Sequence, residues 1–417
     1  MPIYLKPKLK IIGSSLMIVL PKMSTQQLPQ STIKEVELLL YCARTHITPT
    51  IAARIQKLLL EDIDWEYLIR IAQRHRVMPL LYHSLQSISP ELVPPAKLNQ
   101  LRQDFQANLF RSIFITQSLL KFLSLFESNQ IPALSFKGSI LGASAYGNFS
   151  LRQTRDLDIL VHKHHYQKAV DLLIAAGGEI CLDLPSECHF LFYDRTLCID
   201  LHCEIIPKDY SRSISDNYWW QNLEHFELSG EKVLNLSPEA CFFMLCLQGT
   251  KDCWYMLHRI CDVAEVIRTY PEMNWMQIMD QANRFGCKRI VSVALVLTKN
   301  LLEASLPEEV LKEVESDPAV KSVVEQVSKQ LFCETTEEKI EGVPKDLFHM
   351  STREHFKDRL QILVSLLNTH GWFTPTEHDL EFLRLPKFLY FLYYLTRPIR
   401  LIARYRLSLL QYLRIKK

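Results

Sequence analysis

Hydrophobic spacing departs from helical periodicity in one convincing block of this chain, and that block limits the folds open to it. Apolar residues recur at three- and four-residue intervals through residues 33–128, in "EVELLLYCARTHI", "DWEYLIRIAQRHRVMPLLYHSL" and the run Phe105, Leu109, Ile113, Leu119, Leu120 and Leu123. That is the spacing of helices with one buried face. From about 130 to 206 the pattern shortens to strand-like alternation, and helical spacing then resumes to about 332. Within the block, "IPALSF" (131–136) reads as a short strand and "YQKAVDLLIAAGG" (166–178) as a helix closed by its glycines. "HFLFYD" and "LCIDLHCEI" read as a hairpin around Asp194-Arg195-Thr196. Ser237 and Pro238 form an N-cap and first-turn pair for "EACFFMLCLQGTK". The expected fold class is α+β, a small mixed β-sheet between N- and C-terminal helical segments. Its expected divisions are a leader (1–30), a helical region (31–129), the α/β core (130–210), a second helical region (211–335) and a C-terminal helical region with a basic tail (336–417).

Of 417 residues, 48% are hydrophobic and 23% charged, enough apolar surface to build a large core and too much for a disordered chain. The eleven cysteines form no C-x-x-C pair, which argues against a disulfide framework or a zinc ribbon and makes a reducing cytoplasm the expected compartment. Cys188, His189, Cys198, His202 and Cys203 cluster in sequence but fit no standard zinc-ligand spacing, and strand alternation sends Cys203 away from His202. At the start, Lys6, Lys8 and Lys10 before "IIGSSLMIVL" imitate an export signal. The apolar run is too short to span a bilayer, no cleavage site follows, and Met23 is an alternative start. A net charge of +2 conceals a tail with nine Lys/Arg and no Asp/Glu from Phe382 onward. Arg397, Arg400 and Arg404 give it a basic face for peripheral contact with an anionic membrane or RNA, or for docking on the acidic remainder of the chain. "FLYFLYYL" in that tail is also too short to cross a membrane, so no transmembrane segment is expected.

"RDLDILV" (155–161) sets Asp156 and Asp158 on one face of a strand, with Leu157, Ile159 and Val161 on the other. Two carboxylates 4 Å apart repel by roughly 4 kcal/mol at an effective dielectric near 20, and a bound cation removes that cost. Oxygen ligands suit Mg²⁺, commonly held by one or two carboxylates together with substrate phosphates. In "CIDLHCEI", Asp200, His202 and Glu204 share a face, so Asp200 is the candidate third carboxylate and His202 either orients it or is structural. Gly138-Ser139, after "IPALSF", offers backbone approach and a hydroxyl to a phosphate at a helix start, and Lys137 offers charge. Replacing Asp156 or Asp158 by Asn is expected to relieve repulsion while removing a metal ligand.

Together "FKGS", "RQTRDLDILV" and "CIDLH" resemble the DNA polymerase beta-like nucleotidyltransferase superfamily, and most closely its uncharacterised bacterial nucleotidyltransferase branch, with the pattern KG…LRxxxDxDxLV…DLH. The likeness extends through "IDWEYLIRIAQRHRVMPLLYHSL", "GTKDCWYMLHRICDVAEVI" and "LPKFLYFLYYLTRPIRL". It implies Mg²⁺-dependent transfer of a nucleoside monophosphate from ATP or another nucleoside triphosphate to a hydroxyl, with pyrophosphate released. The acceptor class (small molecule, protein or RNA) stays open. By the same resemblance Asp156, Asp158 and Asp200 are the catalytic and metal residues, and Lys137, Gly138, Ser139 and Arg152 bind nucleotide, with Arg155 beside them. Lys251, Trp254, His258, Arg259 and Asp262 are candidates to line the acceptor or base pocket. The rival readings are another metal-assisted phosphoryl transferase or hydrolase, and a non-catalytic nucleotide-binding or antitoxin-like regulator on the same fold.

Overall fold

The computed structural model describes residues 33–184, 186–206, 214–333, 343–360 and 362. The leader and the basic tail lie outside the described residues.

Four helices open the described chain: α1 (Ile33–Cys42), α2 (Pro49–Leu59), α3 (Trp65–Arg74) and α4 (Met78–Ile88). Local chemistry sets their starts. Thr48 caps α2 through the Ile51 N–H, with Pro49 in its first turn, and Asp64 caps α3 by accepting the Tyr67 N–H at 2.9 Å. Helix α5 (Pro95–Ser128) follows Pro94 and contains no internal Gly or Pro. Among the described residues it is the one helix long and apolar enough to cross a membrane. Here Ile115, Leu119, Phe122 and Phe126, three or four residues apart, are buried in the apolar cluster that also holds one face of the sheet.

That sheet has the order β1-β2-β5-β4-β3, from β1 (Ala133–Ser135), β2 (Asp156–Val161), β3 (Glu179–Leu184), β4 (Glu187–Phe192) and β5 (Leu197–His202). β2 and β5 are parallel and the other pairs antiparallel, so the sheet is mixed, as expected. Period-two alternation divides β2, β4 and β5 cleanly. Leu157, Ile159, Val161, Cys188, Phe190, Phe192, Leu197, Ile199 and Leu201 enter the core shared with α5 and with α7 (Tyr166–Ala175). The opposite face carries Asp156, Asp158, Cys198, Asp200, His202, Glu187 and His189. Between β1 and β2 run α6 (Gly138–Ser144) and a 3₁₀ turn at Phe149–Leu151.

The region 211–335 is not wholly helical, contrary to expectation. After α8 (Asp216–Gln221), strands β6 (Leu223–Leu228) and β7 (Glu231–Leu236) form an antiparallel hairpin. Ser229 and Gly230 both take positive φ, 54° and 87°, the geometry of a tight hairpin turn whose twist matches its strands. Helices then resume with α9 (Pro238–Lys251), capped by Ser237 as expected, α10 (Leu257–Thr269), α11 (Trp275–Arg284), α12 (Lys288–Leu302), α13 (Glu308–Val314), α14 (Pro318–Leu331) and α15 (Val343–Ser351). Their apolar faces join those of α1 to α4 in one core, so helices distant in sequence pack as a single body against the site face of the sheet.

Candidate active site

Strand register brings the carboxylates together. Asp158 pairs with Asp200 across the parallel β2–β5 ladder, and Asp156 with Cys198 one pleat away. On the other side of β5, His189 lies opposite Asp200 and Glu187 opposite His202. Of these, Asp156, Asp158, Asp200, His202 and Glu187 floor a cleft of about 280 Å³, walled by Arg76, Arg152, Arg155, Lys251, Asp252, His258 and Arg259.

The three aspartates are not electrostatically equivalent. Burial raises Asp156, and the Asp158 charge raises it further. Asp200 is pushed up to about 6 by burial and by the charges of Asp158 and Asp156. Burial acts on Asp158 in the same sense but is outweighed: the Lys137 ammonium at 2.8 Å and His202, whose Nε2 lies 3.4 Å away, hold it well below the usual carboxylate range. His202 was a candidate to orient Asp200; it instead faces Asp158 and Glu187, packing edge-on to Phe136. The histidine beside Asp200 is His189, with Nδ1 at 3.3 Å.

Gly138 adopts φ +62°, and a Cβ there would lie 3.2 Å from Thr154 Cγ2. The long connection to Asp156 therefore loops out through α6 and returns, leaving the glycine turn against the start of β2. Ser139 is buried and its Oγ is hydrogen-bonded to Thr116 Oγ1 at 2.8 Å. Its side chain is thus committed to α5, and Gly138 and Ser139 are not among the residues around the cleft. Arg152 does line the cleft, while its Nε and Nη2 grip buried Asp262 at 2.8 and 3.0 Å. Tyr146 donates to the same carboxylate at 2.7 Å. Of the five residues proposed for an acceptor or base pocket, Lys251, His258 and Arg259 reach the cleft. Asp262 holds Arg152 instead. Trp254 is fully buried before α10 begins, packed so closely on Gly249 that a Cβ there would meet the indole at 2.3 Å. Burial and neighbouring arginines keep His258 far below the usual imidazole range, hence neutral.

Sequence reasoning passed over Arg76, Glu187 and the part played by His189. Arg76 follows α3 with φ 56°, a costly conformation for a residue with a side chain. His75 fixes it there, because its Nδ1 accepts the Leu257 N–H at 3.1 Å and its carbonyl accepts the His258 N–H at 3.2 Å, capping α10. The Arg76 guanidinium is depressed by burial and by Arg155 and Arg259, a concentration of positive charge at the cleft. Nothing local to "AQRHRVMP" signals this. Glu187 and His189 carried a signal, the alternation of "ECHFLF" on a strand paired with "LCIDLH".

The mixed sheet sets three carboxylates, a group that could coordinate a divalent cation, opposite a wall rich in arginine. The family described as "Uncharacterised nucleotidyltransferase" matches residues 61–303 of the chain, which spans both the sheet and the helices that wall the cleft. The chain belongs to that family. No curated protein and no solved structure matches it.

Proposed function

We propose that the protein is a Mg²⁺-dependent nucleotidyltransferase that moves a nucleoside monophosphate from a nucleoside triphosphate to a hydroxyl acceptor and releases pyrophosphate, acting in the cytoplasm. The observation that carries this reading is the division of one cleft into an acidic floor, Asp156, Asp158 and Asp200, and a basic wall led by Arg76, Arg155, Arg259 and Lys251. Hard oxygen donors that share a face and repel one another fit magnesium. When bound, that ion would neutralise phosphate charge and polarise the α-phosphoryl group.

The chain's own residues supply the rest. Arg76 and Arg155, which make no ion pair with another described residue, would meet the triphosphate. Arg152, fixed by Asp262, would hold its remaining N–H edge toward the same anion without having to be ordered on binding. Gly138 would let backbone approach the phosphates, and Ser139 could contribute only through its backbone. Lys137 would exchange its hold on Asp158 for a phosphate oxygen. Asp200, a stronger base than an ordinary carboxylate, would take the acceptor hydroxyl's proton as the new oxygen–phosphorus bond forms and the bond to pyrophosphate breaks. The acceptor is a small molecule, a protein hydroxyl or an RNA end.

Incubation with each of the four triphosphates and Mg²⁺ tests the reading. Pyrophosphate release with acceptor labelling from cell extract supports it. Release of free phosphate points to a hydrolase, and Mg²⁺-dependent binding without turnover to a regulatory protein.

A further inference from the structure

Glu187 lies between two histidines. Its Oε1 accepts from His189 Nε2, and its Oε2 faces His202 Nδ1 at 3.6 Å. A carboxylate accepts, so neutral His189 turns its Nε2–H toward Glu187 and leaves the lone pair on Nδ1. His189 thereby presents Nδ1 to Asp200 Oδ1 at 3.3 Å. Acceptor facing acceptor at that distance is repulsive unless a cation or a proton stands between them. A histidine held by a carboxylate through one nitrogen and aimed with the other is the usual arrangement of a metal ligand. Cys198 Sγ is 3.2 Å from the same Asp200 oxygen, and ligand atoms of His189, Cys198 and Asp200 all fall within 4.8 Å of one another.

We infer that His189 Nδ1, Cys198 Sγ and Asp200 form a second cation position beside the Asp156–Asp158 pair, selective for a borderline-soft divalent ion of the zinc and cobalt class. The donors decide the class. Magnesium keeps to oxygen, whereas imidazole nitrogen and thiolate sulfur favour zinc and its neighbours. Binding replaces the Cys198 thiol proton that now points to Asp200. Three protein ligands would leave a fourth tetrahedral position for water or another ligand. Glu187 acts on the ion only through His189 and is a positioning residue. The spacing of these ligands, nine residues from His189 to Cys198 and two more to Asp200, matches no zinc signature because two adjacent strands, and not one loop, supply them. The site shares Asp200 with the proposed reaction but does not rest on it.

The full chain, stripped with chelator and titrated with Co²⁺ in the absence of nucleotide, tests this. Stoichiometric binding with thiolate-to-cobalt charge-transfer absorption is expected, and Cys198→Ser should abolish the absorption. His189→Gln should weaken binding strongly, Glu187→Gln should weaken it by about 10–100-fold, and Asp156→Asn should leave the absorption in place. Peptide mapping of the wild-type chain should show Cys198 shielded from alkylation by Co²⁺, a readout that needs no variant to fold. Absence of the absorption, its survival in both Cys198→Ser and His189→Gln, unshielded Cys198, or displacement of Co²⁺ by equimolar Mg²⁺ overturns the site. An intact cobalt signal without nucleotidyl transfer supports the site while overturning the reaction.

Discussion

Three aspartates on one face respond to their surroundings in two opposite ways, and substitutions should separate them. Burial and the charges of Asp158 and Asp156 push Asp200 up to about 6 in the folded chain, against about 4 in an unfolded one. The native state therefore holds that proton more tightly, and the resulting stability, present in full below about pH 4, is lost as pH rises through 6. Metal-free Asp200→Asn should melt higher than wild type at pH 8, by on the order of 2 kcal/mol, with little difference at pH 4. Asp156→Asn should share the sign. Asp158→Asn should do the reverse, because it strands Lys137 and His202 in a half-closed site; its stabilising effect belongs above the ordinary carboxylate range and disappears as pH falls. A loss of about 1–3 kcal/mol at pH 7 is expected. Relief of repulsion on substitution is therefore predicted for Asp156 and not for Asp158, whose charge is paired with Lys137. Thermal melts in chelator from pH 4 to 8 check the signs, and turnover should fall by at least about 10²-fold in all three.

At the scale of elements, the turn into α6 and the register of β2 on β5 do most to build the site. Gly138→Ala places a side chain at φ +62° and against Thr154, which should cost about 1–3 kcal/mol and weaken triphosphate binding, as melts and calorimetric titration would show. Ser139→Ala should cost about 1 kcal/mol through its lost bond to Thr116 and leave triphosphate affinity within about twofold. A large affinity loss there would mean that the hydroxyl leaves α5 to meet phosphate. The β6–β7 hairpin shows how local signal is overlooked: "HFELSGEKVLNL" has alternation and a Ser-Gly turn, but it lies between strongly helical segments and is short.

Across the whole molecule, the helical body and the sheet are joined by buried charge. Asp262 on α10 receives Arg152 and Tyr146 from the segment before β2, and Glu265 one turn later receives Thr45 Oγ1 at 2.5 Å and pairs with Arg268. Asp262→Asn leaves a buried guanidinium without its counter-charge and should cost about 3–5 kcal/mol, visible as a large drop in melting temperature. Arg76→Gln removes charge from a crowded positive wall, so it should leave the melt near wild type while weakening Mg²⁺-triphosphate binding about tenfold or more. If the two variants behaved alike, Arg76 would be structural.

The sequence by itself determined whatever depends on neighbours within a few positions. Period identified the helices and the sheet block, Ser237-Pro238 marked the start of α9, and alternation put Asp156 with Asp158, and Asp200 with His202, on shared faces. Tertiary structure alone decided which groups meet across elements. Alternation names a face but not the strand lying alongside, so it could not show that His189 rather than His202 attends Asp200, or that Glu187 bridges both histidines. Nor could it show that a residue after α3 would turn its guanidinium into a cleft whose floor lies some 80 residues later. Those placements follow from strand register and helix packing, which are set by burial of the whole apolar surface at once and leave no mark on the few residues they bring together.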